Sequence, residues 1–100
     1  MKIVSWQEWL DKHIPYYEAE KHRKRFLDNP PQSVLIIYIT DRVVRHIPGQ
    51  IRETWEDIHN KFVDFGYEST PLFLERDTHQ EWYWAFWNQS ESLMAVLKLS

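Results

Sequence analysis

The sequence predicts a single two-layer α+β domain over residues 1–100, with about three helices packed on one face of a mainly antiparallel four-stranded sheet. A length of 100 residues suits one domain and is too short for two. Apolar residues recur at helical spacing in three segments and at strand spacing in four others. A hydrophobic content of 43% with only 2 Gly and 5 Pro excludes a disordered or collagen-like chain.

Two helices are predicted before the first strand. Ser5 and Glu8 have the spacing of a capping box, and apolar residues then follow at helical intervals, which predicts a helix over residues 6–13. Good helix formers continue over residues 16–28, as a second helix or a kinked continuation of the first. Asn29-Pro30-Pro31 ends this region, because a proline disfavours helical backbone in the residue before it.

A buried strand and a third helix come next. Residues 34–40 are β-branched and apolar at both alternating sets of positions, which predicts the central strand. Residues 41–47 fit either the second strand of a hairpin or a bridge to the next helix. After Pro48-Gly49, one helical face is apolar, and Gly66 suits the end of that helix. The residues of that face are Ile51, Trp55, Ile58, Phe62 and Phe65.

The remaining third of the chain is predicted to be a β-meander. Its strands cover residues 72–75, 81–87 and 93–99, with turns at 77–79 and 88–92. Residues 93–99 also suit a helix capped by Ser90, because Leu, Met, Ala and Lys favour helices. We predict a strand there and keep the helix as the alternative.

Alternation along the strands separates the sheet into two faces. The predicted inner face carries neither charge nor hydroxyl and comprises Leu35, Ile37, Ile39, Leu72, Leu74, Trp82, Trp84, Phe86, Leu93, Ala95, Leu97 and Leu99. The predicted outer face mixes rings, aliphatic side chains and charges and comprises Val34, Ile36, Tyr38, Thr40, Phe73, Glu75, Glu81, Tyr83, Ala85, Trp87, Met94, Val96 and Lys98.

The composition of the outer face is intermediate between that of a core and that of a solvated surface. Aromatic residues beside a few rim charges are typical of protein–protein interfaces, so we predict a partner-binding surface there. Its predicted residues are Tyr38, Phe73, Glu75, Asp77, Glu81, Tyr83 and Trp87. In the alternative, residues 41–47 or one of the helices cover this face and the protein has three layers.

Charge favours a protein with a basic surface as the partner. Residues 1–50 hold 8 Lys and Arg against 6 Asp and Glu, whereas residues 51–100 hold 4 against 9. The acidic second half would repel a phosphate backbone, so nucleic acid is a disfavoured partner. The basic run at residues 21–25 is interpreted as the solvated face of a helix.

Several kinds of chemistry have no support in the sequence. The chain has no cysteine, its 5 histidines form no ligand motif, and its only glycines, Gly49 and Gly66, build no phosphate-binding loop. We therefore predict no metal, no cofactor and no catalytic residue. The lack of cysteine and of any apolar run of about 20 residues predicts a cytoplasmic protein with no membrane association.

These features together predict a small non-enzymatic module, of the inhibitor or immunity-protein type, that blocks a larger, partly basic protein. One alternative is a homodimeric structural subunit that pairs through the same outer face. Another is a small sugar-binding protein or enzyme that uses Trp87, Tyr83 and His79.

Overall fold

Helices and strands follow one another closely in the computed structural model, which describes residues 1–39, 53–75 and 80–100. The strands are β1 (Lys2–Ser5), β2 (Ser33–Tyr38), β3 (Ser69–Leu72) and β4 (Glu81–Phe86). The helices are α1 (Trp6–Glu8), which continues into a π-helical turn (Trp9–His13), α2 (Tyr16–Arg25), α3 (Trp55–Asp64) and α4 (Gln89–Leu99). The undecided segment 41–47 and the predicted turn at 77–79 lie outside the described residues.

The four strands form one antiparallel sheet in the order β1-β2-β4-β3. The two central strands pair along their full length, and Leu35 lies opposite Trp84. The predicted central strand is therefore correct, and so are the α+β class and the number of strands. One of the four strands, however, is not the one that the sequence predicted.

The unpredicted strand is β1, at the start of the chain. Lys2 to Ser5 pair with β2 from Ile36 back to Ser33. Ser5 also begins α1 as predicted, since its Oγ accepts a hydrogen bond from the Glu8 backbone N–H at 3.1 Å. Four residues are too few to show a period of two, so only the helix start at Ser5 was visible in the sequence.

The predicted strand at 93–99 is wrong, because these residues belong to α4. Asn88 caps this helix by accepting a hydrogen bond from the Ser90 backbone N–H at 3.0 Å, so the cap lies two residues before the predicted one. The buried residues Ser92, Ala95 and Leu99 recur at helical spacing. On the opposite side of α4 the large apolar residues Leu93, Met94 and Leu97 are exposed, which obscured this pattern in the sequence.

Helices cover both faces of the sheet, so the two-layer prediction is wrong and the three-layer alternative is correct. On one face, called the first face here, Val34 and Ile36 of β2 pack with side chains of the π-helical turn and α2. On the other, the second face, Leu35 and Ile37 pack with side chains of α3 and α4. All four β2 residues are almost completely buried. The predicted outer face is therefore a second core.

The cover of the first face comes from the chain between β1 and β2. Trp9 and Leu10 lie in the π-helical turn and are both buried, although they are neighbours in sequence. Ala19 adds a buried contact from α2. The strands β1 and β2 are adjacent, and the helical segment that joins them packs across the first face of the sheet. Because β1 was not predicted, the sequence did not show which face this segment covers.

The remaining element boundaries differ modestly from the prediction. The α3 helix begins at a capping box between Thr54 and Asp57 and is followed by Gly66 with a positive φ of 77°, the conformation that favours glycine. The third strand is β3 at Ser69–Leu72 rather than 72–75. In its register Leu72 lies opposite Tyr83, which places Leu72 on the first face instead of the predicted inner face. Within the described residues, no helix is long and apolar enough to cross a membrane.

Candidate functional site

Tyr83, predicted to contact a partner, is buried beneath the π-helical turn. Its side chain is 4% exposed, and its ring lies 5.5 Å from that of Trp9 in an edge-to-face arrangement. The hydroxyl donates a hydrogen bond of 2.6 Å to Glu81 Oε2. Tyr83 therefore belongs to the core of the first face, where it holds the Glu81 carboxylate in place.

Trp87 follows β4 at the opposite end of that strand from Glu81. Its indole Nε1 donates a hydrogen bond of 2.9 Å to the Asn29 backbone carbonyl, and its ring packs against Phe26 at 5.6 Å. The ring is half-buried by its own chain. The set Trp87, Tyr83 and His79 is thus not assembled among the described residues, because His79 lies outside them.

Four other predicted residues do converge at one end of the sheet, which we call the open end. Tyr38 closes β2 and pairs with Glu81, the first residue of β4. Phe73 and Glu75 follow β3 at this same end. Asp77 lies outside the described residues, so the structure gives it no position.

The open end contains an aromatic groove of about 160 Å³. Pairing between β3 and β4 stops at Leu72 and Tyr83, so the chain beyond Leu72 leaves β4 and a gap opens. The groove is lined by Trp55, Pro71, Leu72, Phe73, Leu74, Glu81, Trp82, Tyr83 and Trp84. Its rings come from α3, β4 and the segment after β3, which are far apart in sequence.

Trp55 and Phe73 form the outer wall of the groove. Their ring centroids are 4.9 Å apart and their planes meet at 76°. Phe73 is 58% exposed, whereas Trp55 and Trp82 are half-buried. The spacing of Trp55 and Trp82 assigned both residues to the core. The sequence does not show that α3 approaches the chain after β3, so it did not indicate that these rings line a groove.

Glu75 ties the segment after β3 to α2. Its backbone N–H donates a hydrogen bond of 2.7 Å to Glu18 Oε1, and its carboxylate forms an ion pair of 2.6 Å with Lys21 Nζ. The hydrogen bond from Lys21, with its positive charge, lowers the pKa of Glu75, and the same contact raises the pKa of Lys21. These contacts hold one side of the groove against a rigid helix.

Glu18 and His22 are buried polar residues on α2 that the sequence did not single out. They lie four positions apart on the helical face that meets the first face of the sheet. Burial lowers the pKa of His22, while the nearby Glu18 carboxylate acts in the opposite direction. His22 lies within the run at residues 21–25 that was interpreted as the solvated face of a helix, so that interpretation is wrong for this residue. The available signal was the spacing of Glu18 and His22, which puts both on the same side of α2 as the buried Ala19.

Three cations of the basic run at residues 21–25 contact other side chains of the protein. Besides the Lys21 pair, Arg23 contacts Asp11 at 3.1 Å and Glu20 at 3.0 Å. The Arg25 guanidinium lies 4.8 Å from the centroid of the Phe26 ring. Lys24, the remaining cation of the run, is exposed.

The size of the groove limits what it accepts. Sites for complete small-molecule ligands usually measure about 300–1,000 Å³. A cavity of about 150 Å³ accommodates a group of the size of benzene, and the volume here is about 160 Å³. The groove thus suits a single side chain or a comparably small group.

Within the described residues, no group of three or more His, Cys, Asp or Glu side chains is arranged to hold a metal ion. Comparison with models of known protein families, with curated proteins and with solved structures gives no match.

Proposed function

We propose that this protein is a small non-enzymatic protein-binding module, of the inhibitor or immunity-protein type, that contacts its partner through the open end of the sheet. The observation that carries the proposal is an exposed aromatic ring, Phe73, at the mouth of a groove that is also lined by the rings of Trp55 and Trp82. This surface replaces the covered first face as the binding region.

The arrangement resembles the centre of a protein interface. Binding energy in such interfaces is concentrated in a few rings that fill or line a pocket, while polar groups surround them. Here the groove accepts a side chain of the partner, and Phe73 contributes its own ring to the contact. Tyr38, Glu75 and Glu81 supply the polar surroundings.

Charge supports a partner with a basic surface. Glu81 is one of the residues that line the groove, whereas the Glu75 carboxylate beside it is already paired with Lys21. The second half of the chain, which contributes most of the groove, holds 9 Asp and Glu against 4 Lys and Arg. Complementary charge speeds encounter and rejects acidic partners. Such a module would block its partner by covering a basic functional surface. The cytoplasmic location is still a prediction.

The test is a selection of displayed random peptides on the immobilised full chain. We expect selected peptides to bind Phe73→Ala about tenfold or more weakly than the wild type, because removal of an interface ring often costs over 1.4 kcal/mol. The matched control is Leu97→Ala, which removes another exposed apolar side chain from α4. Binding to this control should equal that of the wild type.

Two results would contradict the proposal. One is selected peptides that bind Phe73→Ala as well as the wild type. The other is a selection that enriches no peptide above the background of the bare support.

A further inference from the structure

The aromatic groove adjoins the backbone of the sheet at Glu81, the first residue of β4. We infer that the groove binds one apolar side chain of an extended segment of the partner, and that the main chain of this segment pairs with the Glu81 backbone. This inference deepens the proposed function and rests on it. The rings contact the side chain, and the Glu81 N–H and C=O bind the peptide beside it.

The Glu81 backbone groups point toward the β3 side of β4. In an antiparallel sheet, successive residues of a strand turn their N–H and C=O alternately toward the two neighbouring strands. The Ile39 backbone N–H donates a hydrogen bond of 2.8 Å to the Gln80 carbonyl, so the Gln80 backbone faces the β2 side. The backbone of Glu81, the next residue, therefore faces the opposite side.

Pro71 of β3 leads to the same orientation independently. It lies opposite Trp84 and has no N–H, so this pair of residues cannot exchange two hydrogen bonds. Tyr83 and Ala85, on either side of Trp84, are then the β4 residues whose backbones bond to β3. Glu81 precedes Tyr83 by two residues and shares its orientation.

The strand that would pair with Glu81 is missing at the open end. β3 pairs with β4 only as far as Leu72 opposite Tyr83. Neither the N–H nor the C=O of Glu81 forms a hydrogen bond with the described residues after Leu72. The Glu81 side chain bonds to Tyr83 of the first face, whereas Trp55 and Trp82 lie on the second. The main chain is thus the part of Glu81 that lies between the two faces.

An extended peptide complements both the rings and the Glu81 backbone. Two residues opposite each other in an antiparallel pair exchange two hydrogen bonds, and many proteins bind peptides by adding a strand in this way. A helix would not do so, because its own backbone N–H and C=O are bonded internally. Covering Glu81 with a helix would remove its N–H and C=O from water without a replacement.

The size of the groove limits the contact to one residue of that segment. A volume of about 160 Å³ is close to that of a cavity that holds benzene, so one phenyl ring fits. The outer edge of β3 is a poorer site for a longer strand. Pro71 faces outward there and has no N–H to donate, as is common in strands that avoid pairing with other chains.

The experiment uses N-acetyl-phenylalanine N-methylamide as the probe. It is titrated into the full chain while the backbone amide signal of Glu81 and the indole N–H signals of Trp55 and Trp82 are followed by NMR. We expect saturable shifts of all three, with the Glu81 amide proton moving downfield because it becomes hydrogen-bonded.

Two methylated probes test the main-chain contact. A methyl group on the phenylalanine nitrogen removes the donor to the Glu81 carbonyl, so binding should weaken about fivefold or more, the loss of one net hydrogen bond. The control is the isomer with its extra methyl group on the other amide nitrogen, which keeps this donor and should bind as the parent compound does.

Two variants test the same contact from the protein side. Glu81→Pro removes the backbone N–H, and proline is tolerated at the first residue of a strand, so the variant should fold but bind the probe about fivefold or more weakly. Glu81→Ala is the matched control, because it loses the same carboxylate and keeps the N–H, and it should bind as the wild type does. The methylated probes are titrated into the wild type, so their result does not depend on the folding of a variant.

The inference is overturned by equal binding of the two methylated probes, by equal binding of the probe to Glu81→Pro and Glu81→Ala, or by the absence of saturable shifts. These outcomes differ from failure of the proposed function. Displayed peptides that depend on Phe73 but bind Glu81→Pro and Glu81→Ala equally would support protein binding and contradict main-chain pairing. Discrimination between the methylated probes without any selected peptide would contradict the proposed function alone.

Discussion

At the scale of single residues, Tyr83 and Phe73 show how differently two nearby rings are used. Tyr83 is 4% exposed and lies against Trp9, whereas Phe73 is 58% exposed at the mouth of the groove. Burial of a large ring stabilises the fold through the area it removes from water and through close packing. An exposed ring contributes little to folding and is available for binding.

We therefore expect Tyr83→Ala to lower the free energy of unfolding by about 3–5 kcal/mol and Phe73→Ala by less than about 1 kcal/mol. Urea denaturation followed by tryptophan fluorescence measures both. Tyr83→Phe is the matched control, and loss of the hydrogen bond from its hydroxyl to Glu81 should cost about 1 kcal/mol. Similar losses for the two alanine variants would show that the residues are not divided between core and surface as described.

His22 makes stability depend on pH. Burial lowers its pKa from the ordinary 6.5, so the folded protein keeps the imidazole neutral where the unfolded chain protonates it. Because the unfolded state binds more protons in this window, stability should decrease as pH falls below about 6.5 toward the folded pKa. Above this window the contribution of His22 should be constant.

The measurement is the free energy of unfolding of the wild type and of His22→Gln between pH 7.5 and about pH 5.5, above the range in which most carboxylates titrate. The variant should lose most of the slope in this range. His13→Gln, the same change in the π-helical turn, is the control and should keep it. An unchanged slope in His22→Gln would assign the pH dependence to other groups.

At the scale of helices and strands, the elements with both a start signal and a clear period were predictable. Ser5 begins α1, and α3 has one apolar stripe ended by Gly66. The short strand β1 was missed because four residues show no period. The α4 helix was taken for a strand because its large apolar residues Leu93, Met94 and Leu97 are exposed, while its buried side includes the small residues Ser92 and Ala95, so no apolar helical stripe stood out.

The candidate site was predictable only in part. Phe73, Glu75 and Glu81 were proposed as partner-binding residues, and all three lie at the open end. Trp55 and Trp82 were missed, because their spacing matches that of core residues. Trp55 and Trp82 meet Phe73 through contacts between different segments of the chain. The spacing of apolar residues within one helix or strand does not indicate such contacts.

At the scale of the whole molecule, the number of layers decides which surface is free to bind. The sheet is covered on the first face by the π-helical turn and α2, and on the second by α3 and α4. The homodimer alternative required the first face for pairing, and that face is occupied by the chain itself. Among the described residues neither face of the sheet is left uncovered, which is why the proposed function uses the open end.

The most direct test of this arrangement is the NMR line broadening caused by a soluble gadolinium chelate. The methyl signals of Val34 and Ile36 on the first face should be protected as strongly as those of Leu35 and Ile37 on the second. The ring signals of Phe73 should broaden strongly. Broadening of Val34 and Ile36 to the extent seen for Phe73 would contradict the account, because it would leave the first face open to solvent and to a partner.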